Sequence, residues 1–132
     1  MLREDVLRRA QTMAVAGMRD TCTIRRPTAP TEDLDTGEVT KTYLSPDPYA
    51  GPCRIQQAIA QAQQQDVGED YQLLVRFELQ LPMTVTGIQV RDEVTITASR
   101  DPDLVGRVFL VRDLFHKTDA SARRIGVTEK TD

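Results

Sequence analysis

The chain has no tryptophan, a single histidine, two cysteines and no excess of positive charge. It also lacks any apolar run near the ~20 residues that a membrane-spanning helix requires. Each shortage closes off a class of function. One histidine, His116, rules out a two-histidine metal site, and its position after an apolar strand assembles no catalytic triad. Seventeen basic against twenty acidic side chains leave a formal charge of −3, which supplies no basic surface for tight phosphate binding. Phosphate-cradling glycine loops and nucleophile elbows are missing. With three Phe and three Tyr in 132 residues, a core must be built from Val, Ile, Leu, Met and Ala. That length suits one domain over residues 1–132, with roughly two thirds of the unfolded surface buried on folding.

What is present is mostly strand. Residues 1–17 are the exception. Leu2, Val6, Ala10, Met13 and Ala14 make an apolar helical stripe, Glu4→Arg8 and Asp5→Arg9 are favourable i,i+4 pairs, and Gly17 stops the helix. From Thr21 the period becomes two, with Cys22 and Ile24 inward and Pro27 ending the strand. A polar loop at 27–37 leads to a strand expected at about 38–44, stopped by the prolines of Ser-Pro-Asp-Pro. Gly51 to Gln57 is the next strand. Gln72–Leu81 alternates cleanly through Leu73, Val75, Phe77, Leu79 and Leu81, and Ile88–Ala98 repeats this with Ile88, Val90, Val94, Ile96 and Ala98 inward around a turn at Arg91-Asp-Glu. Arg107–Phe115 is apolar on both faces, and 123–129 returns with Ile125 and Val127 inward.

One N-terminal helix followed by such strands predicts a mainly β protein, with a small antiparallel six- to seven-stranded barrel or rolled sheet over 18–132. Closure removes the edges that would otherwise aggregate. Residues 58–70, rich in Ala and Gln, read as a long flexible loop. Cys22 and Cys53, in phase with Ile24 and Ile55, are expected as buried free thiols in a reducing compartment.

The polar residues offer little chemistry. Asp33, Asp35 and Glu38, and the group Asp66, Glu69 and Asp70, follow no calcium-loop spacing. They read as solvated acids. Asp113 stands out as an acid inside an apolar run, with Arg112 or an arginine of the last strand as its expected partner. Arg25-Arg26 and Arg123-Arg124 are two short basic pairs. Neither a cofactor nor a metal is expected.

The order of a short helix, Thr21-Cys-Thr-Ile-Arg-Arg-Pro27, the turn Leu34-Asp-Thr-Gly37, a threonine-rich stretch to Tyr43, and Gly51-Pro-Cys-Arg-Ile-Gln56 resembles small head-to-tail joining proteins of long-tailed bacteriophages. Val90-Arg-Asp-Glu-Val-Thr-Ile-Thr-Ala98, Asp101-Pro-Asp-Leu-Val-Gly-Arg107 and the stretch from Val111 to Arg124 extend the likeness toward head-closure, or stopper, proteins of actinobacterial phages.

That resemblance implies a virion neck protein, assembled in the host cytoplasm, with no catalytic role. It implies a ring of six copies, or twelve, between a portal or adaptor ring on the head side and a tail terminator or tail tube on the tail side. DNA would pass through without sequence-specific binding. Gln61, Gln63, Gln64, Gln65 and Asp66 are the candidate channel-gating segment. Arg25, Arg26, Arg123, Arg124, Leu2 and Val6 are the candidate partner or subunit contacts. The alternatives are a tail terminator ring and, from another class, a small OB-like nucleic-acid-binding module, which the sparse aromatic and basic residues disfavour.

Overall fold

A computed structural model describes residues 3–57, 66–67, 70–71 and 76–130. Helix α1 spans Arg3–Ala16, and ten strands follow: β1 Asp20–Arg25, β2 Thr31–Glu32, β3 Val39–Thr40, β4 Tyr49–Gln57, β5 Asp66–Val67, β6 Asp70–Tyr71, β7 Arg76–Leu81, β8 Glu93–Ala98, β9 Val108–Phe115 and β10 Arg123–Glu129. Six of them close into an antiparallel barrel in the order β1-β4-β7-β10-β9-β8. β2 and β3 form a separate two-stranded hairpin, as do β5 and β6. The expectation of a helix followed by a small barrel is met.

Alternation explains the closure. Each barrel strand turns two apolar residues inward: Cys22 and Ile24, Cys53 and Ile55, Leu79 and Leu81, Val94 and Ile96, Phe109 and Val111, Ile125 and Val127. A barrel of so few strands has an interior that side chains alone can fill. Phe109 is fully buried and meets the Phe77 ring edge-on at 5.0 Å between centroids. Val85 and Ile88 add to the same core. Sparse aromatics therefore suffice.

Cys22 and Cys53 are buried free thiols. A hydrogen bond from Cys22, then burial, pushes the Cys53 thiol far above its usual range, so Cys53 stays protonated and unreactive. Tyr49 lies beside them. Its hydroxyl is pushed up to about 12 by burial and by the two sulfurs, and it donates to the Pro52 carbonyl at 2.6 Å. That placement depends on Gly51, whose φ of +156° suits few L side chains and whose missing Cβ would lie 2.9 Å from the Tyr49 hydroxyl. Gly51→Ala is expected to cost about 2 kcal/mol, from backbone strain plus a displaced hydrogen bond. Urea unfolding reads it, and a change below about 0.5 kcal/mol would mean that the strand absorbs the strain.

Several expectations need correction. The strand foreseen at 38–44 contracts to Val39–Thr40, with one further bridge between Pro27 and Tyr43. Both strand residues are exposed, so no buried face drives a longer ladder. Val90 is half exposed and Ala98 exposed, not inward. Val90 falls in the turn before β8, where Arg91 takes φ 79°, and the register shifts at Thr21/Cys22 opposite the end of β8. Asp113 pairs with Arg76 of β7 at 3.4 Å rather than with Arg112 or a β10 arginine. Arg112 instead donates to the Thr128 hydroxyl.

The helix also differs from its expected stripe. Val6 and Met13 are 53% and 75% exposed, while Leu7, Ala10, Gln11 and Ala14 are the half-buried positions. The face is rotated by about one residue, and no residue of α1 is fully buried.

Candidate functional site

β9 ends at Phe115, and the chain turns through 116–122, with Asp119 at φ 58°, before returning as β10. α1 lies across this turn, and Gln11 Nε2 donates to the Ala120 carbonyl at 3.2 Å. Between helix and turn opens a cleft of about 890 Å³. Val6, Leu7 and Ala10 line it from the helix, and Met83, Phe115 and Ala122 from the barrel. Phe115 stays 55% exposed. Its ring lies over Gly126, where a Cβ would approach it to 3.0 Å, so the glycine gives the aromatic a seat on the sheet.

The rim of this cleft is basic. Arg3, Lys117, Arg123 and Arg124 face it against Glu4 and Asp119, four positive charges against two negative, in a chain whose total is −3. Arg123 Nη2 donates to the Met83 carbonyl at 3.2 Å. Its Nε is buried and has no hydrogen-bond acceptor among the described residues, an unmet donor that native structures seldom leave. Arg124 sits 3.8 Å from Glu78 with its side chain 61% exposed, a contact worth little in water. His116 is an exposed member of the same wall.

A second polar cluster holds charges inside the fold. Arg26 clamps the buried Asp92 with Nε to Oδ1 at 3.0 Å and Nη2 to Oδ2 at 3.1 Å, and Nη2 also reaches the Gly87 carbonyl at 2.7 Å. Next to it, Glu93 Oε1 accepts from Lys41 Nζ at 2.6 Å and Lys130 Nζ at 2.9 Å, while Oε2 accepts from the Tyr43 hydroxyl at 2.9 Å. Burial pushes the Glu93 carboxyl up. The three hydrogen bonds outweigh that and hold it down at about 2. The bond to Glu93 likewise raises the Lys41 ammonium, and the bond to Asp92 raises the Arg26 guanidinium. With its carboxylates fully engaged by donors, this cluster ties the base of the β2–β3 hairpin and the residue after β10 to the start of β8 and leaves no free base.

The structure thus divides the residues singled out by sequence. Val6, Arg123 and Arg124 come together at the cleft. Arg25 stacks its guanidinium 3.4 Å over the Tyr43 ring, and Arg26 turns inward to Asp92. Leu2, Gln61, Gln63, Gln64 and Gln65 lie outside the described residues, and Asp66 pairs with Tyr71 through the β5–β6 backbone. Sequence reasoning missed Asp92 and Glu93. Their one signal was two adjacent acids inside an otherwise apolar stretch, read only as a turn. It also missed Phe115, Lys117 and Met83, which become neighbours of the helix only through the barrel's closure. Among the described residues no group of acids, histidines or cysteines could hold a metal ion.

Fold and site together define a small closed β-barrel bearing a helical arm, with a basic-rimmed apolar cleft between them. The chain belongs to DUF6093, a family of unknown function whose model matches residues 10–128. No curated protein matches the sequence. Among solved structures it is similar to the solution structure of protein SF1141 from Shigella flexneri 2a, at 17% identity, with 85% of this chain and 92% of that one covered and a TM-score of 0.56. At that identity the likeness shows the fold alone.

Proposed function

We propose that this protein is a structural subunit of a bacteriophage neck. It is a head-closure protein that seals the portal channel after DNA packaging and presents the docking platform for the tail. It works by assembly in the virion, not by catalysis. The sequence resemblance to stopper proteins motivates the reading, and one observation supports it: no residue of α1 is fully buried, and a wide cleft opens beside it. A 14-residue helix gains most of its stability in a protein from packing an apolar face, so an open face is suited to a partner. The closed barrel has no free strand edge among its six strands, which directs association to the helix, the hairpins and the turns.

In a ring, one heterologous contact is repeated around the symmetry axis. Each contact can be weak and the assembly still strong, because avidity multiplies it. The net charge of −3 suits a channel through which DNA slides without being held.

Electron microscopy of particles from a phage whose copy of this gene is disrupted tests the reading. Emptied heads beside tails of normal length are expected. Filled heads beside overlong tails would make the protein a tail terminator instead, and complete infectious particles would overturn any neck role.

A further inference from the structure

The β2–β3 hairpin carries the opposite chemistry to the cleft. Glu32, Asp33, Asp35 and Glu38 surround its tip, and none of the four has a cationic partner among the described residues. Leu34, between two of these acids, is 92% exposed. The turn is well defined: Gly37 takes φ 72°, its N–H donates to the Asp33 carbonyl at 2.7 Å, and Asp33 Oδ1 accepts from the Asp35 N–H. The arm is also anchored at its base, where Lys41 and Tyr43 bind Glu93. An anchored acidic arm with an apolar tip needs a reason to stand in water.

The cleft supplies one. Its apolar floor of Val6, Met83 and Phe115 fits a leucine, and Lys117, Arg123 and Arg124 stand where carboxylates would meet them. The buried Arg123 Nε still lacks an acceptor. No residue of the hairpin lines the cleft of its own chain. We infer that the β2–β3 hairpin of one copy docks into the α1–turn cleft of the next, Leu34 seating beside Phe115 and Val6 while Asp35 and Glu38 meet Lys117 and Arg124. Donor and acceptor are different surfaces, so the contact is heterologous and suited to repeat around a ring. This deepens the neck reading, which supplies the reason for copies to be neighbours.

The test uses the full chain, isotopically labelled, in amide NMR spectra recorded over a concentration series. Expected are concentration-dependent shifts confined to the hairpin, α1 and residues 115–124, fading as salt rises. Two variants reverse exposed charges on one side each: Lys117→Glu/Arg124→Glu in the cleft and Asp35→Lys/Glu38→Lys in the hairpin. Each alone should lose the shifts while keeping a dispersed spectrum. Mixed together they should regain them, since each variant's altered surface then matches the other's. Shifts that never appear, that map elsewhere, that survive either reversal, or that mixing fails to restore would overturn the inference. The microscopy outcome is independent of these spectra. A neck phenotype without the shifts leaves the neck role standing and removes this contact, whereas the shifts without a neck phenotype do the reverse.

Discussion

Asp92→Ala is expected to lower the free energy of unfolding by about 3–5 kcal/mol, the usual cost of removing one partner of a buried ion pair. The Asp92 side chain is 2% exposed and that of Arg26 24%, so water can take the place of the lost carboxylate only in part. The Gln89 N–H, which donates to Asp92 Oδ2 at 2.9 Å, loses its acceptor as well. Guanidinium or urea unfolding with an unchanged m-value measures the loss. The double variant Arg26→Met/Asp92→Leu should recover much of it, because an apolar pair carries no stranded charge. A single-variant loss below about 1 kcal/mol would mean that the clamp positions the turn at 87–92 without stabilising it.

Lowering the pH should remove a comparable share of stability through Glu93. Its carboxyl sits at about 2 in the folded protein against an ordinary 4.5, so the unfolded chain takes up this proton more readily than the folded one. The contribution is complete above about pH 4.5 and is lost as pH falls toward 2. At about 1.4 kcal/mol per pH unit, discounted because the Lys41 side chain is 49% exposed, this comes to roughly 2–3 kcal/mol. Glu93→Gln has no such proton to gain. The stability gap between wild type and this variant should therefore be widest near neutral pH and close between pH 4.5 and 2. A gap that is constant over that window would show that the carboxylate's charge contributes nothing.

The inward residues of the barrel were legible because each strand alternates around two aliphatic or cysteine positions, and a six-strand interior needs little more. Val94 and Ile96, Ile125 and Val127, and Leu79 and Leu81 all fall where a period of two puts them. The hairpin was not legible in the same way. Val39 and Thr40 have no buried face, so what places them is the union of Lys41 and Tyr43 with Glu93, some fifty residues away. Pairings of charge across such spans leave no periodic trace. Burial of Asp92 was hidden for the same reason, its partner Arg26 lying 66 residues earlier. The helix was recognisable as a helix, but its facing depends on Gln11 reaching Ala120. An apolar stripe cannot announce that a polar residue makes the tether. The cleft followed from neither pattern, since it exists only where the barrel's closure brings the 116–122 turn under α1.

The strand order of the barrel also governs how the protein comes into being during synthesis. β1 must wait for both its neighbours, β4 and β8, with Thr21 opposite Ala98, and β10 is the stave that joins β7 to β9. Of the six ladders, only β8–β9 and β9–β10 link strands consecutive in the chain; the rest require distant segments to find each other before any reward is gained. Topologies of this kind fold in milliseconds to seconds rather than microseconds. Until Glu129 has emerged from the ribosome, β7 and β9 each present an unpaired edge. The nascent chain is therefore most prone to aggregate just before its last strand arrives, and a truncation ahead of Arg123 would hold it in that state.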